Sequence, residues 1–265
     1  MGIFLWALLT TMLLTIVWSV SSMARYYLKF SIFILSSLIF ATVPIPIMLL
    51  RPRDSKNGLI PAKCLSMCTW ILGLKYEVKG LENIVKGSGC VVLINHQSAI
   101  DLIVLAELWP VMDNCTVISK KEVFYLWPFG LASWLWGTIF IDRLNAEKAQ
   151  SSINQTGETI RKNKARVLMF PEGTRNMKEK MLPFKKGAFH LAVASQCPLQ
   201  PIIVDKYNFL GRHRFDEGNI RITILPSIPT EGLTKEDVPM LTEKAYATMS
   251  HFFEQRKMEQ SKKST

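Results

Sequence analysis

The sequence predicts an α/β protein with a central, mostly parallel sheet flanked by helices, placed behind an N-terminal hydrophobic anchor of two membrane helices. From residue 75 onwards, short apolar runs typical of buried strands alternate with longer segments typical of helices. The N-terminus is different, because no Asp, Glu, Lys or Arg precedes Arg25. We therefore predict an anchor at residues 1–50, a connecting segment at 51–74 and an α/β domain at 75–265.

The anchor is predicted from two apolar runs, at residues 1–24 and 30–50. A helix that crosses the hydrocarbon of a bilayer needs roughly 20 apolar residues, so both runs are long enough. The first run lacks the basic start of a signal peptide, which favours an anchor that is retained. Pro44 and Pro46 predict a kinked or re-entrant second helix.

The elements of the α/β domain follow from local patterns. Predicted strands cover residues 76–80, 90–95, 115–119, 138–142, 166–170, 199–204 and 220–225. Predicted helices cover residues 98–109, 145–163, 187–195 and 235–258. In the first of these helices, Ser98 as N-cap would place Asp101 at the third helical position, as in a capping box.

Composition narrows the choice of partners. The chain has 32 Lys and Arg against 21 Asp and Glu, a net charge of +11, and a mean hydropathy of +0.17. Its basic residues lie beside apolar segments, as at 51–56, which favours anionic lipids or phosphorylated substrates. No nucleic-acid module is visible.

The five cysteines form neither a paired framework nor a zinc spacing, so we expect no metal and a reduced, cytosol-facing domain.

His96 and Asp101 are the first candidate site residues. The apolar run of residues 90–95 ends directly before His96, in a loop at the carboxyl end of a predicted strand, where α/β sheets bind ligands. If the loop folds His96 back over Asp101, the carboxylate can orient the imidazole as a general base without supplying a nucleophile. The structural alternative is a helix-capping Asp101 and a loop histidine.

A second group of candidates also follows predicted strands. Glu172, Gly173, Thr174 and Arg175 come directly after the strand at 166–170, and Arg143 comes after the strand at 138–142. Arginine in such loops suits bidentate binding of phosphate. Each arginine taken alone also fits a solvated surface cation.

These motifs together resemble the 1-acyl-sn-glycerol-3-phosphate acyltransferases. The resemblance rests on NHQSAID at 95–101, GTIFIDR at 137–143, FPEGTR at 170–175 and LQPIIV at 199–204, with SKKE at 119–122. It implies the acyltransferase-type sheet and transfer of a fatty acyl group from acyl-CoA to the sn-2 hydroxyl of lysophosphatidic acid. No cofactor is expected, because acyl-CoA is itself a substrate.

The resemblance also implies roles for single residues. His96 would be the general base and Asp101 its partner, while Arg143 and the loop 172–175 would bind the glycerol phosphate. Lys120 or Lys121 would add charge there, and the sequence does not choose between them. Pro201 would lie near the active site or the acyl chain.

The uncharged run at residues 126–141, with Trp127, Trp134 and Trp136, admits two interpretations. It fits a core helix followed by a strand. It equally fits an interfacial segment with tryptophans at headgroup level, or a wall of an acyl groove that includes Trp134 and Trp136.

Three alternatives to the implied reaction stay open. The closest is an acyltransferase for another lysophospholipid or for glycerol 3-phosphate. A membrane lipid hydrolase would also use a histidine and an acid, but the chain has no G-x-S-x-G elbow. A non-enzymatic lipid-binding protein would need the anchor and the basic surface but not His96.

The distribution of basic residues predicts which side of the membrane the α/β domain faces and in which organelle the protein lies. Arg51, Arg53, Lys56 and Lys63 follow the second apolar run, against Arg25 and Lys29 before it, which places the α/β domain in the cytosol. The ending KKST, with Lys262 and Lys263, resembles the dilysine signal of endoplasmic reticulum membrane proteins. The alternative is a frayed basic tail.

Overall fold

A computed structural model of the chain describes residues 2–142, 156–158 and 160–264. The helices are α1 Gly2–Val20, α2 Ser22–Thr42, α3 Ile45–Met48, α4 Leu59–Cys68, α5 Asp101–Val111, α6 Phe129–Leu135, α7 Gly187–Ser195 and α8 Val238–Ser264. The strands are β1 Leu74–Lys79, β2 Cys90–Ile94, β3 Cys115–Lys120, β4 Ile139–Ile141, β5 Arg166–Met169, β6 Leu199–Val204, β7 Leu210–Gly211, β8 Arg214–Phe215 and β9 Gly218–Ile224. The predicted helix at 145–163 lies largely outside the described residues, although 160–163 are helical.

Seven strands form one sheet in the order β1-β9-β6-β2-β5-β3-β4. The five strands from β6 to β4 run parallel to one another, whereas β9 pairs antiparallel with β6 and parallel with β1. The predicted α/β class with a mostly parallel sheet is therefore confirmed. Strand β2 lies in the middle, so the loop that follows it is at the centre of the sheet's carboxyl edge.

The sheet is covered on both faces, which explains the continuous apolar runs of its central strands. Along β2, Val92 and Ile94 face a cluster built with α2, α4 and α5. The alternate residues Val91 and Leu93 face a second cluster built with α7 and α8. This two-residue alternation is the geometry of a strand buried on both sides.

Several element boundaries differ from those predicted. The predictions at 187–195 and 199–204 match α7 and β6. Helix α5 begins at Asp101 and not at Ser98, because Asp101 Oδ2 accepts hydrogen bonds from the backbone N–H of Gln97 and Ser98 and holds this stretch as a turn. The β7–β8 hairpin was not predicted, since two-residue strands carry no periodic pattern.

Helix α2 is the one helix among the described residues that is long and apolar enough to cross a membrane by length and composition. It starts before the predicted run and ends at Thr42, ahead of Pro44 and the short α3. The other predicted membrane segment, at residues 1–24, is helical as α1 over Gly2–Val20. Helix α2 also packs on α4, α6 and β8, with Phe33 and Ala41 buried.

Glu107 makes the stability of the α4–α5 packing depend on pH. Its carboxylate is buried on α5 and accepts a hydrogen bond from Ser66 of α4. Burial raises the pKa of Glu107 above its ordinary value, although hydrogen bonds with Ser66 and Tyr76 act in the opposite direction. The folded state therefore holds this proton to a higher pH than the unfolded state, and the free energy of unfolding falls as the pH rises through the folded pKa.

Glu107→Gln should raise the thermal midpoint at pH 7.5, because the neutral amide avoids the cost of a buried charge. The gain should shrink as the pH approaches 4.5, the ordinary glutamate value. Thermal unfolding at both pH values, with the exposed Glu82→Gln as control, measures the effect. A gain of equal size at both pH values would exclude titration of Glu107 as its cause.

Candidate active site

The carboxyl ends of the parallel strands bring the sequence-predicted residues to one edge of the sheet. His96 follows β2, the loop 170–175 follows β5, and Lys120 ends β3. Leu93 of β2 pairs with Met169 of β5, so the two loops leave the sheet side by side. Arg143, which follows β4 in the sequence, lies outside the described residues.

His96 and Asp101 form a short hydrogen bond, with 2.6 Å between Nδ1 and Oδ2. The carboxylate is 1% exposed, whereas the imidazole is partly exposed and lines a cavity. Among the described residues, nothing is hydrogen-bonded to Nε2 of His96. With Nδ1 protonated toward Asp101, Nε2 is left as a proton acceptor on a ring that lines the cavity. The arrangement can serve as a base together with its orienting acid.

Glu172 holds the His96 loop from the neighbouring strand. It is 3% exposed, and its Oε1 accepts a hydrogen bond from the backbone N–H of His96 at 2.9 Å. Its Oε2 accepts from Leu182 N at 2.9 Å and from Asn176 Nδ2 at 3.2 Å. The structure thus places this carboxylate against donors of the protein, where it fixes the backbone that carries the imidazole.

Gly173 allows the turn after β5. It adopts a φ of +71°, which favours glycine, and a Cβ at this position would come within 2.7 Å of the Lys185 side chain. The turn carries Thr174 and Arg175 to the surface, where both line the cavity. The guanidinium of Arg175 has no carboxylate partner among the described residues. It is therefore available to an anionic ligand.

The two lysines of SKKE face different surroundings. Lys120 lines the cavity beside His96 and Arg175. Lys121 lies 3.8 Å from the carboxylate of Asp142 and is not part of the cavity lining. The structure therefore favours Lys120 over Lys121 as the second cation at the site.

The cavity has a volume of about 630 Å³ and is mostly apolar. Its apolar wall is built from α2, α4, α5 and α6, and includes Ala41, Pro61, Ala62, Leu65, Leu102, Leu105, Ala106, Trp109 and Phe129. His96, Lys120 and Arg175 supply polar groups. A ligand that fits this shape has a long apolar part and an anionic group.

The remaining candidates occupy three different environments. Trp136 lines the cavity. Trp134 does not, since it is 36% exposed and lies 5.6 Å from the guanidinium of Arg53. Pro201 is buried inside β6, paired with Leu93, and is absent from the lining. The run at 126–141 forms helix α6 and strand β4, with Leu135 and Ile141 in the core and Trp127 exposed.

Sequence reasoning missed several residues that contact the His96–Asp101 pair. The ring of Phe170 stacks on His96, with centroids 4.0 Å apart. The hydroxyl of Tyr207 donates a hydrogen bond to Asp101 Oδ1 at 2.7 Å. Gln97 donates to the carbonyls of Val204 and Asp205, which ties the loop to the end of β6. The available signal for Tyr207 was its position just after a buried strand of the same sheet.

This fold and site define an acyltransferase, and the sequence profile of the Acyltransferase family matches residues 75–205. The chain is 37% identical to 1-acyl-sn-glycerol-3-phosphate acyltransferase alpha of Homo sapiens over 244 residues, covering 91% of this chain and 86% of the relative. It is 32% identical to the human beta protein over 247 residues, covering 91% and 88%. The chain belongs to the 1-acyl-sn-glycerol-3-phosphate acyltransferase family.

A solved structure shares the fold. The crystal structure of the 1-acyl-sn-glycerophosphate (LPA) acyltransferase PlsC from Thermotoga maritima superposes with a TM-score of 0.60 at 20% sequence identity. The match covers 86% of this chain and 96% of that one. At this identity the likeness shows the fold alone.

Proposed function

We propose that this protein transfers a fatty acyl group from acyl-CoA to the sn-2 hydroxyl of 1-acyl-sn-glycerol 3-phosphate, releasing phosphatidic acid and CoA. The observation that carries the proposal is the 2.6 Å contact between His96 and Asp101 at a mostly apolar cavity whose lining includes Lys120 and Arg175. Family membership supports the acceptor, because the relatives are named for it.

In the proposed reaction, Nε2 of His96 accepts the proton of the sn-2 hydroxyl as that oxygen attacks the thioester carbonyl carbon. The carbon–sulfur bond then breaks, and the CoA thiolate leaves and takes the proton from the imidazolium. Asp101 keeps the imidazole in the Nδ1–H tautomer and stabilises its charged form. The acceptor supplies the nucleophile, so the reaction needs no acyl-enzyme and no cofactor beyond the CoA thioester.

The cations have a separate role in this proposal. Arg175 and Lys120 bind the phosphate of the acceptor, together with Arg143, and the apolar wall of the cavity receives acyl chain. Arginine pairs with phosphate through two parallel hydrogen bonds, which fixes orientation as well as affinity. Glu172 acts through the backbone of His96 and not on the phosphate, consistent with its hydrogen bonds.

An acceptor panel tests the proposed function. The purified chain in mixed micelles is supplied with oleoyl-CoA and either lysophosphatidic acid, lysophosphatidylcholine, glycerol 3-phosphate or no acceptor, and products are measured by mass spectrometry. Phosphatidic acid formed only when both substrates are present supports the proposal. Faster turnover of another acceptor would identify that acceptor as the substrate in place of lysophosphatidic acid. CoA release without acceptor would indicate a hydrolase, and no turnover would indicate a lipid-binding protein.

We further propose that the protein lies in the endoplasmic reticulum membrane with its α/β domain in the cytosol. Helix α2 supports membrane association, as do large exposed apolar side chains such as Leu35, Ile39, Trp70 and Trp127. The basic residues that follow α2 support the cytosolic side.

Replacing Lys262 and Lys263 together by serine should move the protein out of the endoplasmic reticulum, because a dilysine signal is read from the cytosol. Fluorescence microscopy of the full-length variant measures the location. Replacing Lys235 and Lys244 is the matched control for loss of two positive charges. An unchanged location would mean that Lys262 and Lys263 are not a signal for retention in the endoplasmic reticulum.

A further inference from the structure

The carboxylate of Asp101 is shared among four hydrogen-bond donors. Its Oδ2 accepts from His96 Nδ1 at 2.6 Å, from Gln97 N at 2.7 Å and from Ser98 N at 3.1 Å. Its Oδ1 accepts from the hydroxyl of Tyr207 at 2.7 Å. Tyr207 is therefore the donor that holds the oxygen facing away from the imidazole.

The orientation of a buried aspartate depends on its partners, because rotation about the Cβ–Cγ bond is only weakly restricted by the side chain itself. Both Asp101 and Tyr207 are 1% exposed, so water does not substitute for a missing donor. A buried carboxylate oxygen left without a donor destabilises the fold, because it has lost its hydration without gaining a hydrogen bond. The hydroxyl of Tyr207 thus restrains the orientation of the carboxylate and partly neutralises its negative charge.

Tyr207 is itself held in place by the loop that carries His96. Its backbone N–H donates to Gln97 Oε1 at 3.2 Å, and Gln97 Nε2 donates to the carbonyls of Val204 and Asp205. Burial, and then the negative charge of Asp101, raise the pKa of Tyr207 well above its usual range. The hydroxyl consequently stays protonated and remains a donor at every pH suitable for assay.

We infer that Tyr207 is a positioning residue. Its hydrogen bond orients the Asp101 carboxylate so that Oδ2 contacts His96, and it partly neutralises the carboxylate's charge. Both effects set the strength of the Asp101–His96 hydrogen bond on which proton transfer depends. The inference rests on the proposed function, because it assigns Tyr207 to the same base. Tyr207 touches no reacting atom in this arrangement. It acts through Asp101, from the loop after β6, more than a hundred residues along the chain.

Tyr207→Phe is expected to lower kcat for acyl transfer by roughly 10- to 100-fold, the range for loss of a hydrogen bond to a charged group. The KM values for acyl-CoA and acceptor should change by less than about threefold, because the cavity and its cations are untouched. Tyr246→Phe is the matched control, since its hydroxyl donates to Met181 O away from Asp101.

A double-mutant cycle with Asp101→Asn separates positioning from a general loss of packing. If Tyr207 acts through the carboxylate, Tyr207→Phe should lower kcat by less than about threefold in the Asp101→Asn background. An equal loss in both backgrounds, or an unchanged kcat in the single variant, overturns the inference.

A further measurement covers the case in which Tyr207→Phe does not fold. A ring-fluorinated tyrosine at position 207 keeps the shape but is a stronger donor, so kcat should change at least about twofold while both KM values stay unchanged. An unchanged kcat overturns the inference. Failure of the wild-type chain to transfer acyl groups would instead remove the proposed function, whereas an active wild type with an unaffected Tyr207 variant removes only the role of Tyr207.

Discussion

His96→Ala is expected to lower kcat for acyl transfer by about 1,000-fold, within the range for loss of a positioned general base. The acceptor hydroxyl then loses the group proposed to take its proton, because Nδ1 of His96 is bonded to Asp101 and Nε2 is the remaining ring nitrogen of a residue that lines the cavity. Binding of both substrates should change little, since the cations and the apolar wall remain.

The measurement is the steady-state rate of phosphatidic acid formation, determined by mass spectrometry with the folded variant at saturating substrates. His251→Ala is the control, because His251 is exposed on α8 and its ring hydrogen-bonds with Gln255 of the same helix. A kcat within tenfold of wild type would remove His96 from the role of general base.

Arg175→Ala is expected to raise the KM for lysophosphatidic acid by roughly 10- to 100-fold and to change the KM for acyl-CoA by less than about threefold. The guanidinium lines the cavity without a carboxylate partner among the described residues, so its charge is open to the acceptor phosphate. Initial-rate kinetics with each substrate varied in turn measure the two values. An equal rise in both would contradict a phosphate-binding role.

The lysines of SKKE provide a matched pair for the same assay. Lys120→Ala should also raise the acceptor KM, although less than Arg175→Ala, because an ammonium group binds phosphate as a point charge. Lys121→Ala should leave the acceptor KM close to wild type, since Lys121 faces Asp142. The reverse order would show that the cavity lining does not identify the phosphate-binding lysine.

Much of the fold was predictable because its strands carry their signal locally. The apolar runs of β2, β5 and β6 are buried throughout or nearly so, and turn residues or polar motifs bound them on both sides. The position of the candidate site residues at one edge of the sheet followed from the same reasoning, since the loops after parallel strands lie at one side of a sheet. The contact between His96 and Asp101, five residues apart, needed only a loop and the first turn of a helix.

The contributions of Glu172 and Tyr207 were not predictable in the same way. Glu172 belongs to a motif that suggested phosphate binding, yet its two oxygens accept backbone donors from separate loops. Tyr207 reaches Asp101 only because β6 lies beside β2 in the sheet. The docking of α2, which places Ala41 in the cavity lining, likewise depends on packing between distant segments.

By itself, the sequence determined the α/β class, the positions of most strands, the apolar character of the N-terminal region and the motifs that meet at one edge. These features depend on neighbouring residues, on the periodicity of apolar positions and on the fact that the carboxyl ends of parallel strands lie at the same edge of a sheet. The tertiary structure alone decided which lysine lines the cavity, which tryptophan lines it and that Tyr207 donates to Asp101. Such contacts join residues dozens to more than a hundred positions apart, and strand order and helix packing, which no local pattern encodes, bring them together.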